Sequence, residues 1–211
     1  MKKIILVSSM ALACALPAVS HAESNFTNPA ASTSTASGRL DFTVVVPSVL
    51  FLRIGTGGAV GVAGAVIDGL TFTVPATNIG DSTVITGTGG DLTNGAVTVR
   101  VFSNFGSNVT LNSSVTAPLT SGTDTIPWSQ IAVVATALSA ATAGFTNAAI
   151  THPAFSATTG AGTATTLTAA SRLVRQEGKW TFSYSNTAVV PAGTYGAPGT
   201  SGRVTYTATQ V

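Results

Sequence analysis

Charged residues, cysteine and histidine are all scarce in this chain. Of its 211 residues only 8% are charged, against about 25% in ordinary globular proteins. So little charge excludes a solvated disordered chain, a helical coiled coil and a nucleic-acid binder. One cysteine rules out a disulfide framework, and two histidines are too few for a zinc centre. Nucleophilic catalysis fares no better. No Gly-x-Ser-x-Gly elbow surrounds any serine, and the one histidine beyond the N-terminal segment is His152, in Thr151-His152-Pro153. A lone loop histidine of this kind is expected to be solvated or structurally bonded. Asp68, Asp81, Asp91 and Asp124 stand beside Gly, Ser or Thr and read as turn formers, with no EF-hand spacing. The glycine-rich loops lack the Lys-Ser/Thr of a phosphate-binding loop. Glu177 falls in the charged cluster Arg172 to Lys179, which reads as a solvated hairpin turn. No catalytic residue, metal ligand or cofactor is expected, and the chain reads as non-enzymatic.

The N-terminus has the three parts of a secretory signal peptide. Lys2-Lys3 precede an apolar run from Ile4 to about Ala18, followed by Ser20-His21-Ala22. Cleavage after Ala22 is expected. Cys14 lies inside this segment, but the leucine of Ala11-Leu12-Ala13 is one place late for a lipobox. Lys2 and Lys3 leave with the peptide, so 9 basic residues become 7 against 7 acids. The basic pI of about 9.0 thus belongs to the precursor. The exported form is neutral and cysteine-free, with no basic face for nucleic acid or anionic lipid and no membrane span.

What the chain does have is β texture. Residues 23–37 are small and polar and read as a flexible leader. From Gly38 to Val211, short Val-, Thr- and Phe-rich runs are separated by Gly, Asn, Asp and Pro. The 35 threonines favour strands, because a β-branched side chain suits a half-buried pleated surface. Period-two alternation marks Leu40-Phe42-Val44-Val46, Leu70-Phe72-Val74, Val97-Val99-Val101, Trp180-Phe182-Tyr184 and Val204-Tyr206-Ala208. Val44 to Leu52 is apolar on both faces, which predicts burial on both sides, with a break at Pro47. Asp68-Gly69 and Asn94-Gly95 read as tight turns. Ile131 to Thr136 is expected as a strand, and the alanine-rich remainder of 129–149 stays open. The pattern predicts a single all-β domain, an antiparallel immunoglobulin-like sandwich of about 8–11 strands.

Four aromatic residues are candidates for a sugar-stacking surface: Trp128, Trp180, Tyr184 and Tyr195. The stripe Trp180-Phe182-Tyr184 has strand spacing and reads as core. Trp128, which follows Pro127, and Tyr195 are therefore the candidate ligand contacts. The Thr-x-Thr pairs are too irregularly spaced for an ice-binding solenoid.

The ending Pro191-Ala192-Gly193-Thr194-Tyr195-Gly196, then Gly202-Arg203-Val204-Thr205-Tyr206-Thr207-Ala208, resembles that of exported bacterial fimbrial-type subunits and spore-coat-U-like proteins. Leu40-Asp41-Phe42-Thr43-Val44 resembles the first strand of such domains. The chain as a whole is similar to exported proteins of Gram-negative bacteria. The resemblance implies a sandwich fold and a structural or surface role, in a pilus-like fibre or a coat, with self-association or related subunits as partners. A carbohydrate-binding or adhesive module is the alternative. Residues 23–37 hold Phe26 among Ala, Ser and Thr and make a poor donor strand, Gln210 stands where pilins often place an aromatic, and the pilin disulfide is missing.

Overall fold

A computed structural model describes residues 24–28 and 33–211. The expected signal peptide, and the leader outside residues 24–28 and 33–37, lie outside that range. The chain divides into two compact units, residues 1–46 and 47–211.

The described part of the first unit contains no strand or helix. This corrects the expectation of a strand over Leu40–Val46. Leu40, Phe42, Val44, Val45 and Val46 are between 70% and 86% exposed, so Val44 to Val46 are not buried on either face. Alternation supplies an apolar face, but a strand also needs a neighbour for its backbone groups, and none is paired here.

The second unit is all-β. Its strands are β1 (Leu50–Ile54), β2 (Leu70–Thr71), β3 (Ile85–Thr86), β4 (Thr88–Gly89), β5 (Ala96–Ser103), β6 (Val109–Val115) and β7 (Leu119–Ser121). They continue with β8 (Asp124–Ile126), β9 (Ile131–Thr136), β10 (Thr146–Asn147), β11 (Gly160–Ala161), β12 (Thr165–Leu167), β13 (Val174–Tyr184) and β14 (Val204–Gln210). The total exceeds 8–11 because β2, β3, β4, β10 and β11 are only two residues long. Two single 3-10 turns, Ala76–Asn78 and Trp128–Gln130, complete the elements.

The first sheet is built on β13, the longest strand. β5 pairs antiparallel with its Val174–Thr181 portion, β3 with Ser183 and Tyr184, and β9 with its Lys179–Tyr184 portion on the other side. β1 lies outside β5, and β10 adds a short parallel pairing to β13. The second sheet is built on β6, flanked by β14 on one edge and by β11 and β12 on the other. Small two-stranded pieces, β2 with β4 and β7 with β8, lie outside both.

The two sheets share one core, the arrangement of a sandwich. Val97, Val99 and Val101 of β5 and Trp180, Phe182 and Tyr184 of β13 face Val109, Leu111 and Val115 of β6 in that core. Burying each such side chain fully is worth about 1.5–3 kcal/mol. The opposite faces differ. The first sheet carries Arg53, Arg100, Glu177 and Lys179 on its outer side, whereas Thr110, Asn112, Ser114, Thr205, Thr207 and Thr209 line that of the second.

Glycine is required where chain crosses chain. A Cβ on Gly178 would stand 2.4 Å from the Ala148 carbonyl oxygen and 3.4 Å from the Ile150 nitrogen. The bare backbone at Gly178 lets the segment after β10 pass across β13 and carry Ile150 into the core. Ile150 then accepts a hydrogen bond from Trp180 Nε1, at 2.6 Å. Asn94-Gly95 forms the expected tight turn, with φ of 48° and 70°. Asp68-Gly69 does not form a hairpin. Asp68 instead accepts hydrogen bonds from Thr56 N at 2.5 Å and Thr56 Oγ1 at 2.9 Å, closing the glycine-rich loop that follows β1. Pro47 is excluded from the ladder. Its carbonyl accepts from Asn104 Nδ2 at 2.8 Å, and Asn104 Oδ1 accepts from Val49 N at 2.7 Å, so one asparagine holds the approach to β1. Among the described residues no helix is long and apolar enough to cross a membrane.

Candidate functional site

The two aromatic candidates occupy different environments. Trp128 begins a 3-10 turn after Pro127 and is buried. Its indole N–H donates to the Ala117 carbonyl at 2.8 Å, and its ring packs on Phe155 at 5.1 Å. A large ring with its one donor satisfied internally gains more from the core than from water. Tyr195 is half-buried, and its hydroxyl donates to the Pro191 carbonyl at 2.8 Å, tying the loop before β14 to itself. No ring contact joins Trp128 to Tyr195 among the described residues. The stripe Trp180-Phe182-Tyr184 fills the core, as expected.

Sequence reasoning missed a buried ionic cluster. The cluster Arg172 to Lys179 is not a solvated turn. The turn is confined to Ser171 and Arg172, both at positive φ, and Val174 already begins β13. Glu177 is fully buried on the outer face of the first sheet, directly across from Arg100. Arg100 donates to Glu177 Oε2 through Nη2 at 2.8 Å and Nε at 3.1 Å. The cover is the segment between β9 and β10. Thr142 N donates to Glu177 Oε1, Thr142 Oγ1 accepts from Arg100 Nη2 at 2.6 Å, and the Phe145 ring lies 4.7 Å from the guanidinium carbon. Burial pushes the Glu177 carboxyl up, but the Thr142 and Arg100 hydrogen bonds outweigh it and hold the group below its ordinary value. Both carboxylate oxygens of Glu177 are held by residues of the cluster, an arrangement suited to fixing a covering loop.

His152 proves to be structurally bonded. The crossing at Gly178 delivers its ring among Trp180 (4.5 Å), Phe155 (4.7 Å), Tyr206 (5.5 Å) and Phe182 (5.6 Å), all edge to face. Its Nε2 lies 2.8 Å from the Tyr206 hydroxyl. Burial lowers the imidazole from 6.5 to about 4 and raises the Tyr206 phenol well above its ordinary range. Both groups are therefore neutral at pH 7.

The remaining candidate is a surface. β1 pairs only with β5 and β14 only with β6, so each leaves one edge open among the described residues. Between them lies an open groove of about 360 Å³ lined by Leu52, Ile54, Ile67, Arg203, Val204, Thr205 and Tyr206. The inward residues of β14 are only half-buried. Val62, Val66 and Ile67, on the loop after β1, are exposed. Leu40, Phe42, Val44, Val45 and Val46 are exposed as well. No protein-family model, curated protein or solved structure matches the chain.

Proposed function

We propose that this chain is an exported, non-enzymatic structural subunit of the cell surface that assembles with copies of itself, in a pilus-like fibre or a coat. The observation that supports it most is the exposed run Leu40, Phe42, Val44, Val45 and Val46, which alternates like a strand yet is paired in no sheet. Isolated exposed apolar residues are ordinary, but a contiguous run of them marks an interaction site. Two open sheet edges, β1 and β14, supply the complementary surface, because an unpaired edge is a template for another strand. The donor is then Leu40–Val46 rather than the Ala/Ser/Thr-rich leader. The neutral exported form removes the charge repulsion that keeps proteins apart.

The test is sedimentation velocity of the exported form over a hundredfold concentration range. Wild type forms concentration-dependent multimers. Phe42→Ser combined with Val45→Ser abolishes them without lowering the melting temperature, because neither side chain is buried. A wild-type protein that stays monomeric throughout, and is missing from sheared surface material, overturns the assembly reading.

A further inference from the structure

We propose that His152 is an acid-sensitive latch that fastens the C-terminal strand β14 to the sandwich through Tyr206. The geometry is the primary argument. The His152 ring is wedged between the two sheets, against Trp180 and Phe182 of β13 on one side and Tyr206 of β14 on the other. Tyr206 also packs directly on Trp180, at 5.2 Å. β14 has a strand neighbour on one side only, and its inner side chains are half-buried. The aromatic cluster is therefore a large part of what holds this strand across the core.

The hydrogen bond explains the sensitivity to acid. With both groups neutral, one hydrogen bond joins Nε2 and the phenol, and it runs from the phenol to Nε2 where the imidazole hydrogen sits on Nδ1. A proton added at Nε2 turns that nitrogen into a donor. Tyr206 must then accept in place of donating, so the bond that joins the two groups is reversed. The imidazolium also lacks a counter-charge. Arg175, Glu177 and Lys179 of β13 point to the opposite face, the segment 148–155 carries no charged residue, and the ionisable groups on the β14 side are Tyr206 itself and Arg203 beside the groove. The low pKa of His152 agrees with this geometry.

Tyr206 lines the groove between β1 and β14 as well as holding His152. Acid release of β14 therefore alters the edge to which a second copy is proposed to bind. This last step rests on the self-association reading, whereas the latch does not.

Three measurements test it. Imidazole NMR assigns the titration of His152 by its loss in His152→Gln; a midpoint near 4 is expected, and one near 6.5 overturns the latch. Urea unfolding of the two proteins comes second. From pH 7 to 4 the unfolding constant of wild type rises about 100-fold more than that of His152→Gln, which keeps an acceptor for Tyr206; equal pH dependence overturns the latch. Amide exchange of β14 relative to β13, normalised to His152→Gln, is the third. Selective acceleration at pH 4 supports release of the strand, and uniform acceleration refutes it. If all three agree but multimers persist unchanged at pH 4, the latch stands and its coupling to assembly is overturned. If the protein is monomeric at every pH, the self-association reading fails by itself.

Discussion

Replacing Glu177 by Gln removes one charge from a fully buried position while keeping its shape. In wild type the carboxylate accepts two hydrogen bonds from Arg100 and one from Thr142 N. The side chain of Arg100 is itself only 11% exposed, so the variant leaves a guanidinium with little water and no counter-ion. Removing one member of a buried pair typically costs about 3–5 kcal/mol. The amide retains one acceptor, which places Glu177→Gln near the lower end, about 3 kcal/mol. For a domain of this size that lowers the melting temperature by about 6–12 °C. Thermal and urea denaturation followed by circular dichroism measure both quantities. The pH dependence adds a signature. The folded carboxyl sits below its unfolded value, so its contribution is complete above about pH 4.3 and is lost as pH falls through the folded pKa. Wild type loses that increment in acid and Glu177→Gln does not. Arg100→Met with Glu177→Leu should recover most of the stability, because an apolar pair needs no mutual neutralisation. If Glu177→Gln lies within about 0.5 kcal/mol of wild type, or the double variant is no better than the single one, the pair is not the clamp described.

Gly178→Ala forces a methyl against the Ala148 carbonyl at 2.4 Å and should cost at least about 2 kcal/mol in urea unfolding, with Trp180 emission shifting as its bond to Ile150 is strained. Asp68→Ala frees Thr56 and opens the loop after β1. Global stability should fall by only about 1 kcal/mol, while limited proteolysis within residues 57–67 accelerates clearly.

The sequence made the strands of the core legible because their side chains alternate between two unlike environments. Val97, Val99 and Val101 and Trp180, Phe182 and Tyr184 show period two for that reason, and β5 and β13 follow them. The same rule failed at Leu40–Val46, since alternation reports a potential face and says nothing about whether a partner strand is present. Glu177 misled in the opposite way. Its charged neighbours suggested solvent, but Arg175 and Lys179 reach outward while Glu177 is covered by Thr142 and Phe145, residues brought there from 32 or more positions earlier. The particular partners of Trp128 and His152 were hidden for the same cause. Their environments are made by Ala117 and Phe155, and by Trp180 and Tyr206, which only the tertiary path brings near. In each case the missing information was a long-range contact.

The late position of β13 has a kinetic consequence. In chain order β5 precedes by some 70 residues the strand that covers its inner neighbour edge, and β9 waits on the same strand. Until Tyr184 has emerged, the first sheet has no centre, and Val97, Val99 and Val101 are exposed to any other β-prone chain nearby. Such non-local pairing is slow to form. The newly made chain therefore passes through an interval in which its stickiest segments are all displayed at once. A holding factor that caps an open strand edge during that interval would raise the yield of folded protein without changing the final stability.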